Sequence, residues 1–377
     1  MKILIAGDFY ISDDLNDKGL IDESVMDIFN EADYRLINLE APITCNTAKN
    51  KILKTGPHLR MSENTAIPFL KQLKVDAVTL ANNHILDYGE KGLIDTFKSL
   101  EQNKIDYVGA GNKLSEATQP LTLKKDDMRI AILSFCENEW SVASEKTAGA
   151  CPIDIIDNTN QIKAAKATHD KVICIIHGGH EYYHLPSPRM QKQYRFYVDN
   201  GADAIVGHHT HCIGGHEIYK DAPIIYSLGN FLFTKYNNNP EWYKGLTTSL
   251  NIRPNAPISF VLNHIEVDTK SFEIISKQDT EIIAMINKLN TVISNTDELN
   301  EEWENYGIIK ADSIIKRLSP VVLIKNRYIR YLLRKFAFER FYNDKQFLKI
   351  LQNQVRCEAH YELTKNVLKI KNKLSPK

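Results

Sequence analysis

Short apolar runs rich in β-branched residues alternate with helical patterns from residue 2 to about residue 235, and this alternation limits the possible folds more than any other feature. The candidate strands are residues 3–6, 34–39, 77–80, 107–108, 130–135, 172–176, 204–206 and 224–228. Helical patterns lie between several of them, at residues 64–73, 89–102, 158–168 and 188–200. Strands that alternate with helices are typical of an α/β fold, in which helices cover the faces of a largely parallel sheet.

The chain changes character after this region. Residues 244–267 have the pattern of later hairpin strands, and residues 281–316 are polar with helical periodicity. Residues 321–368 are basic and predicted to be helical, with aromatic residues at positions 328, 331, 336, 338, 341, 342 and 347. We therefore divide the chain into a main domain, residues 1–270, and a mostly helical, basic C-terminal extension, residues 271–377.

Charge is distributed unevenly, although the formal net charge of the 377-residue chain is zero. Residues 320–377 contain fourteen Lys or Arg and four Asp or Glu, so the rest of the chain is acidic by the same amount. An acidic main domain disfavours binding to long nucleic acids. The basic extension is predicted to pack on the main domain or to dock on an anionic membrane surface or an acidic partner, and RNA binding is the least favoured alternative.

The sequence contains no recognisable export signal or membrane span. The apolar stretch at the N-terminus is interrupted at Asp8, and no run approaches the roughly 18 apolar residues of a membrane span. The six cysteines show no CxxC pairing, which is typical of reduced and mostly buried thiols. These features predict a cytoplasmic protein, either free or peripheral at the inner face of the membrane.

Two histidine-rich segments directly follow predicted strands. They are residues 177–181, His-Gly-Gly-His-Glu, and residues 207–211, Gly-His-His-Thr-His. Seven of the twelve histidines of the chain fall between His177 and His216. Ligand sites of α/β proteins lie where parallel strands end, and imidazole is both the commonest metal ligand and a proton carrier near neutral pH. The two segments therefore predict a functional site at this edge of the sheet.

Other polar residues also come just after predicted strands. They are Asp8, Glu40, the segment Asn82-Asn83-His84 with Asp87 one turn later, and residues 227–230. Together with the histidine-rich segments they bring two carboxylates, an amide oxygen and several imidazoles to one edge. Such a mixed set of oxygen and nitrogen ligands suits Mn, Fe or Zn, with Mg as the alternative.

Six motifs, taken in chain order, resemble those of a known family. They are Gly-Asp, Asn-Leu-Glu, Ala-Asn-Asn-His-x-x-Asp-Tyr-Gly, His-Gly-Gly-x-Glu, Gly-His-His-x-His and Ser-Leu-Gly-Asn-Phe. They resemble the CapA family of poly-γ-glutamate capsule biosynthesis proteins, which are similar to calcineurin-type metallophosphoesterases. The resemblance covers about residues 2–235, including the segment Lys-Thr-Gly-Pro-His-Leu-Arg at residues 54–60. It implies a metallophosphoesterase-like α/β/β/α sandwich, followed here by a C-terminal helical extension.

The resemblance also implies a role for individual residues. The implied ligands of one or two divalent metal ions are Asp8, Glu40, Asn83, His177, His209 and His211. His84 would lie just outside the metals and protonate a leaving oxygen. The implied catalytic residues are therefore His84, as this proton donor, and Asp8, which binds metal. The implied substrate-binding residues are Arg60, Asn82, Glu181 and Asn230. Metallophosphoesterases usually have a histidine two residues after the first aspartate, and this chain has Tyr10 there.

Three functions are open at this point. The favoured one is a metal-dependent phosphoesterase of capsule or surface-polymer biosynthesis, which hydrolyses or transfers a phosphate ester or anhydride of a phosphorylated or polyanionic substrate. The second is a non-catalytic accessory subunit that binds a polyanionic polymer or a synthase or export partner, with residues 320–377 as the docking or peripheral membrane element. The third is a nuclease or nucleotide phosphatase, for which the acidic main domain disfavours long nucleic acids but not nucleotides.

Overall fold

The computed structural model describes residues 1–15, 20–46, 48–318, 326–332 and 345–374. The strands within these residues, numbered in chain order, are β1 Lys2–Tyr10, β2 Tyr34–Leu39, β3 Ala77–Thr79, β4 Asp106–Val108, β5 Ala110–Gly111, β6 Leu121–Lys125, β7 Met128–Cys136, β8 Gly149–Ala150, β9 Lys171–His177, β10 Ala204–His208, β11 His216–Tyr219, β12 Ala222–Ile225, β13 Asn230–Phe233, β14 Lys244–Asn251, β15 Ser259–Val267 and β16 Ile274–Ser276. The helices are α1 Glu23–Asn30, α2 Glu63–Gln72, α3 Gly89–Gln102, α4 Leu114–Ala117, α5 Ile155–Lys166, α6 Pro188–Asp199, α7 Thr280–Ser294, α8 Thr296–Leu318, α9 Arg327–Leu332, α10 Lys345–Arg356 and α11 Glu358–Leu374.

Two sheets carry most of these strands. In the described part of the chain, the first sheet has eight strands in the order β16-β15-β14-β1-β2-β3-β4, and β13 also pairs with β1. The second sheet has six strands in the order β11-β12-β10-β9-β7-β6. The inner strands of both sheets are parallel, and antiparallel strands such as β6, β11 and β14–β16 complete their edges. Strand–helix alternation alone predicted one largely parallel sheet, whereas the family resemblance implied two, and the described residues form two large sheets and a small one of β5 and β8.

Successive side chains along each inner strand point to opposite faces of its sheet. In β1, Ile3 and Ile5 pack against Ile173 and Ile175 of β9, so this apolar cluster lies between the two sheets. The other face of the first sheet packs against α1–α3, and the other face of the second sheet packs against α5 and α6. Because strand side chains alternate with a period of two, each buried strand contributes side chains to two apolar cores, one between the sheets and one beneath the helices. The result is an α/β/β/α sandwich, the layer order that the resemblance implied.

All eight predicted strands are present, and the predicted strand 224–228 runs furthest past the observed end. β12 ends at Ile225, three residues before the predicted end, because the backbone turns at Gly229 with φ of +66° and the next strand begins there. The predicted helix 188–200 corresponds to α6, in which the Ser187 side chain accepts a hydrogen bond from the Met190 N–H. The sequence did not indicate α1, β6, β11 or β13, which are short elements.

The C-terminal extension begins as part of the main core. The predicted helical region 281–316 forms two helices, α7 and α8, which meet at Asn295. Ile282 and Ile286 of α7 are buried in the cluster between the sheets, and Val367 of α11 is buried against Trp303 of α8. The boundary predicted at residue 270 therefore stays a prediction.

Residues 321–368 were predicted to be helical, and the described part of this region forms helices α9, α10 and α11. The aromatic positions 336, 338, 341 and 342 lie outside the described residues. In α9, Tyr328 and Tyr331 are exposed. Within the described ranges, no helix has both the length and the apolar character that crossing a membrane requires.

Candidate functional site

The carboxyl ends of strands from both sheets meet in one buried cluster of polar side chains. Asp8 lies in β1, Glu40 follows β2, and His177 ends β9, while His211 follows β10. Glu40 Oε1 lies 3.7 Å from His177 Nε2 and 3.6 Å from His211 Nε2. Asp8 Oδ2 lies 3.6 Å from His211 Nδ1. The two sheets thus bring together side chains that are far apart in the sequence.

Two sets of three side chains in this cluster have the geometry of metal ligands. One set is Glu40, His177 and His209, and the other is Asp8, Glu40 and His211; within each set the ligand atoms lie within 4.8 Å of one another. Asn83 Oδ1 lies 3.1 Å from His177 Nε2 and so adjoins the first set. All six predicted metal ligands therefore lie at one place, and Glu40 is common to both sets.

The residues present fit a bound cation. Both carboxylate oxygens of Glu40 are buried, and neither has a hydrogen-bond partner among the described residues. A buried carboxylate without a partner is costly, and a divalent cation between the two sets would offset that cost. Carboxylate, amide and imidazole ligands together suit Mn, Fe or Zn.

The backbone around this cluster is held in unusual conformations. A side chain at Gly207 would place its Cβ 2.1 Å from the carbonyl oxygen of Tyr226, so only glycine fits between β10 and its neighbour. Just after this strand, His209 and His211 have φ of +88° and +54°, in the left-handed region that residues other than glycine rarely adopt. Such strain clusters at functional sites, where the surrounding structure maintains it. Here it directs both imidazoles toward Glu40.

Further side chains hold the ligands in place. The Asn38 side-chain amide donates to Asp8 Oδ1 at 2.7 Å and lies 3.2 Å from His177 Nδ1. His208 Nδ1 lies 3.2 Å from Asp8 Oδ1, and Asn230 Oδ1 lies 2.8 Å from His211 Nδ1. Sequence analysis overlooked Asn38, although it belongs to the Asn-Leu-Glu motif. It also gave no ligand role to His208. The imidazole of His208 lies beside Asp8, although Tyr10 stands where metallophosphoesterases usually have a histidine.

Burial and neighbouring charges move the pKa values of the two carboxyl groups in opposite directions. Burial and the adjacent Asp8 carboxylate raise the pKa of Glu40 well above its usual range. Burial also tends to raise the pKa of Asp8, but the nearby imidazoles of His208, His177 and His211 lower it below its usual range overall. Two carboxylates this close do not easily carry full charge together without a cation.

The imidazoles of His177 and His209 remain neutral at physiological pH. Burial, followed by the proximity of His209, lowers the pKa of His177 well below its usual value. Burial lowers the pKa of His209 to about 4. Because a neutral imidazole is the form that binds metal, both residues are available as ligands without first losing a proton.

The low pKa of His209 gives a direct prediction for the metal-free protein. We expect its ring nitrogens to titrate near pH 4 in nitrogen-15 NMR spectra, whereas a histidine in a short control peptide titrates near pH 6.5. Because the folded-state value lies below the unfolded one, this group makes the free energy of unfolding fall as the pH is lowered from about 6.5 toward 4. A His209 ring that titrates at pH 6 or above would contradict the burial described here.

His84 lies beside the cluster and has its own fixed partners. Its Nδ1 is 2.7 Å from Asp87 Oδ2 and 3.1 Å from Lys54 Nζ, and Lys54 also forms a buried ion pair with Asp87. The Asn82 side-chain oxygen accepts a hydrogen bond of 3.1 Å from the His84 N–H. These contacts occupy Nδ1 and leave Nε2 as the nitrogen available to a ligand. Burial, followed by the charge of Lys54, lowers the pKa of His84.

A cleft of about 620 Å³ opens over this site. Asn83, His84 and His209 form its floor, and Lys54 lies on one wall. The opposite side, which we call the roof, consists of residues from α8, α10 and α11: Tyr306, Lys310, Ser313, Ile314, Gln346, Ile350, Asn353, Gln354, Ala359, His360 and Leu363. Sequence analysis assigned no site residue to this part of the chain, because no motif marks it.

The residues predicted to bind substrate have different surroundings. Glu181 is exposed and lines the cleft. Arg60 pairs with Asp13 at 2.9 Å, and it is not among the described residues that line the cleft. Asn82 and Asn230 are fully buried, where they hold His84 and His211. Substrate contact by all four residues therefore stays a prediction.

Comparison with known proteins gives a consistent result. Capsule biosynthesis protein CapA from Bacillus anthracis is 34% identical over 209 residues, which cover 54% of this chain and 51% of that protein. A probable polyglutamine synthesis accessory protein from Mycobacterium tuberculosis is 30% identical over 211 residues, covering 52% of this chain and 55% of that protein. The chain thus spans about half the length of these relatives.

One solved structure, a hypothetical protein from Thermus thermophilus, aligns with a TM-score of 0.44 at 14% identity and covers 71% of this chain and 99% of its own. The family described as bacterial capsule synthesis protein PGA_cap matches residues 2–235, the segment that contributes every residue of the metal-ligand cluster. That match covers more than half of the sequence, so the chain belongs to the PGA_cap family of bacterial capsule synthesis proteins.

Proposed function

We propose that this protein is a metal-dependent phosphoesterase of capsule or surface-polymer biosynthesis, which cleaves or transfers a phosphate ester or anhydride. The observation that carries the proposal is the position of Glu40. Its two oxygens are buried without a hydrogen-bond partner among the described residues, and the carboxylate belongs to both sets of metal-ligand side chains. A carboxylate shared between two ligand sets is the arrangement expected where one residue bridges a pair of cations.

The metal ligands and His84 would divide the chemistry between them. One or two divalent ions, Mn, Fe or Zn with Mg as the alternative, would stabilise negative charge on a phosphoryl group and activate water when bound. The protein itself fixes the orientation of His84 through Asp87 Oδ2, which also accepts a hydrogen bond of 2.7 Å from the Leu59 N–H. His84 Nε2 then serves as the proton donor to the leaving oxygen.

The cleft favours an anionic substrate larger than a free phosphate ion. Lys54 on the wall and Lys310 on the roof face the same space as His84, and the volume of about 620 Å³ leaves room for an attached group. Cationic side chains of this kind bind phosphate and carboxylate groups. A phosphorylated or polyanionic intermediate of a surface polymer meets both requirements, and the names of the relatives support that class of polymer.

The proposal is tested first by metal content and turnover. We expect the purified protein to contain one or two equivalents of divalent metal at this centre and to hydrolyse an aryl phosphate when Mn, Fe, Zn or Mg is supplied. His209→Ala is expected to lose both properties at unchanged fold, whereas His169→Ala, a histidine remote from the cleft, retains them. Absence of metal binding at the Asp8 and Glu40 centre in folded wild-type protein would contradict the mechanism.

The second candidate is an accessory subunit without turnover. It is favoured by the printed name of the Mycobacterium tuberculosis relative, which describes an accessory protein, and by the basic composition of residues 320–377. In this case the full-length protein would co-sediment with a polyanion such as poly-γ-glutamate or with anionic vesicles, in a salt-sensitive manner, and would hydrolyse no phosphate ester. For either function we propose a cytoplasmic location, free or peripheral at the inner membrane face, which cell fractionation tests.

A further inference from the structure

A separate group of metal-binding side chains lies beside the cleft, where the roof meets the core. It consists of Glu139, Cys357 and His360, whose ligand atoms all lie within 4.8 Å of one another. Glu139 comes three residues after the end of β7, whereas Cys357 lies between α10 and α11 and His360 is in the first turn of α11. The group therefore combines oxygen, sulfur and nitrogen donors from distant parts of the chain. None of the three belongs to the Asp8 and Glu40 centre.

Glu137 adjoins this group through the thiol of Cys357. Its Oε2 lies 2.9 Å from Cys357 Sγ, and its Oε1 accepts a hydrogen bond of 2.8 Å from the Gly179 N–H. His360 Nδ1 lies 4.0 Å from Glu139 Oε1. One carboxylate, one thiolate and one imidazole make three protein ligands, and a zinc ion with three protein ligands completes its tetrahedral set with water.

Burial explains why a cation is favoured at this position. Glu137, Glu139 and Cys357 are 4%, 8% and 0% exposed, so two carboxylates and a thiol share a region with little access to water. Asn353 Oδ1 is also buried there without a hydrogen-bond partner among the described residues, while the Nδ2 of the same side chain lies 3.1 Å from His360 Nδ1. Uncompensated polar groups of this kind are costly in a protein interior.

We propose that Glu139, Cys357 and His360 form a second metal site, which binds a zinc-like divalent cation and fastens the C-terminal helices to the core, with Glu137 beside the Cys357 sulfur. Thiolate and imidazole ligands select borderline ions such as Zn²⁺ or Co²⁺ over Mg²⁺ and Ca²⁺. When the ion binds, the Cys357 S–H bond breaks, the proton leaves to solvent, and the sulfur lone pair forms the bond to the metal without any change of oxidation state.

This site has a structural consequence that does not depend on phosphoesterase activity. One of its ligands, Glu139, belongs to the core, and the other two, Cys357 and His360, belong to the segment that joins and begins the helices of the roof. Glu139 Oε2 also lies 3.4 Å from the side-chain amide of Asn83, at the edge of the first metal centre. A cation here therefore fixes the position of the roof relative to the cleft floor.

The experiment uses full-length protein, stripped of metal by a chelator under reducing conditions and titrated with Co²⁺ alone. A Co²⁺ ion bound by a thiolate gives a strong near-ultraviolet charge-transfer band, and the Asp8 and Glu40 centre has no sulfur ligand that would produce one. We expect this band in the wild type, and we expect Zn²⁺ to displace it. His209→Ala, which disrupts the first centre, is expected to retain the band. The experiment therefore tests the second metal site independently of the proposed phosphoesterase function.

Matched variants identify the ligands. Cys357→Ser is expected to abolish the band, whereas Cys151→Ser, which removes another buried thiol, leaves it unchanged. His360→Gln changes a side chain that is 29% exposed and so keeps the fold, and it is expected to weaken Co²⁺ affinity by about tenfold or more. Absence of the band in folded wild-type protein, or its persistence in Cys357→Ser, would overturn the proposal.

Discussion

Glu40→Gln is expected to abolish metal binding at the Asp8 centre and turnover together, while it stabilises the metal-free protein. The variant keeps the size of the side chain but removes the charge that both ligand sets share. Loss of a partner that only supports a ligand typically costs about 10–100-fold in metal affinity, and we expect loss of this shared ligand to cost at least ~100-fold. Isothermal titration with Mn²⁺ or Zn²⁺ and an aryl phosphate assay measure the two losses.

The effect on stability has the opposite sign and depends on pH. Burial and Asp8 raise the folded-state pKa of Glu40 above its unfolded value, so its contribution to stability is greatest at low pH and is lost as the pH rises above about 4.5. The metal-free Glu40→Gln variant should therefore exceed the wild type in free energy of unfolding at pH 7.5, and the difference should shrink at pH 5. Urea unfolding at both pH values measures it.

A matched control separates this effect from a general loss of negative charge. Glu145→Gln changes an exposed carboxylate in a turn and should leave metal affinity and the free energy of unfolding within about 0.5 kcal/mol of the wild type. If Glu40→Gln bound metal as tightly as the wild type, Glu40 would not be a ligand. If it were also no more stable without metal, the buried carboxylate would have an adequate partner already.

His84→Gln is expected to slow hydrolysis by an amount that depends on the leaving group. Its Nε2 is the nitrogen left available by the contacts with Asp87 and Lys54, and general acid catalysis typically contributes about 10²–10⁴-fold. We expect kcat to fall at least ~100-fold for an alkyl phosphate, whose leaving oxygen needs a proton. For 4-nitrophenyl phosphate, whose leaving group departs as a stable anion, we expect less than about a tenfold loss.

The pH dependence provides an independent measurement of the same role. Burial and Lys54 lower the pKa of His84, so the wild-type rate for an alkyl phosphate should begin to fall, as the pH rises, from a point below pH 6.5. This fall should be absent in His84→Gln. Equal losses for both substrates, with an unchanged pH profile, would mean that His84 only positions other groups. His169→Gln serves as the control, because that histidine does not line the cleft.

The residues of the candidate metal centre were predictable because each has a local signal. Asp8, Glu40 and His177 follow or end apolar strands, and the rule that parallel strands end at one edge is enough to bring them together. The exact ligand sets were not available from this rule alone and came from the family resemblance. His209 was predicted as a ligand, but its left-handed backbone was not, since only the packing of neighbouring strands fixes it.

The roof could not be predicted, since its contacts join residues far apart in the chain. Cys357 meets Glu137 across 220 positions, and Gln346 approaches the Lys54 carbonyl oxygen across 292 positions. No motif surrounds Cys357, His360 or Gln346, and amphipathic helices of this kind have many alternative packing surfaces. The sequence indicated helices here and correctly noted their basic character, but their position over the cleft is a tertiary property.

The cleft has two origins in the chain. Its floor lies within residues 2–235, the segment that the family model matches, whereas its roof comes from α8, α10 and α11, beyond that segment. The matched motifs therefore describe the floor and carry no information about the roof. Two chains that share these motifs can differ in the molecules that their clefts admit, so similar motifs need not mean a common ligand.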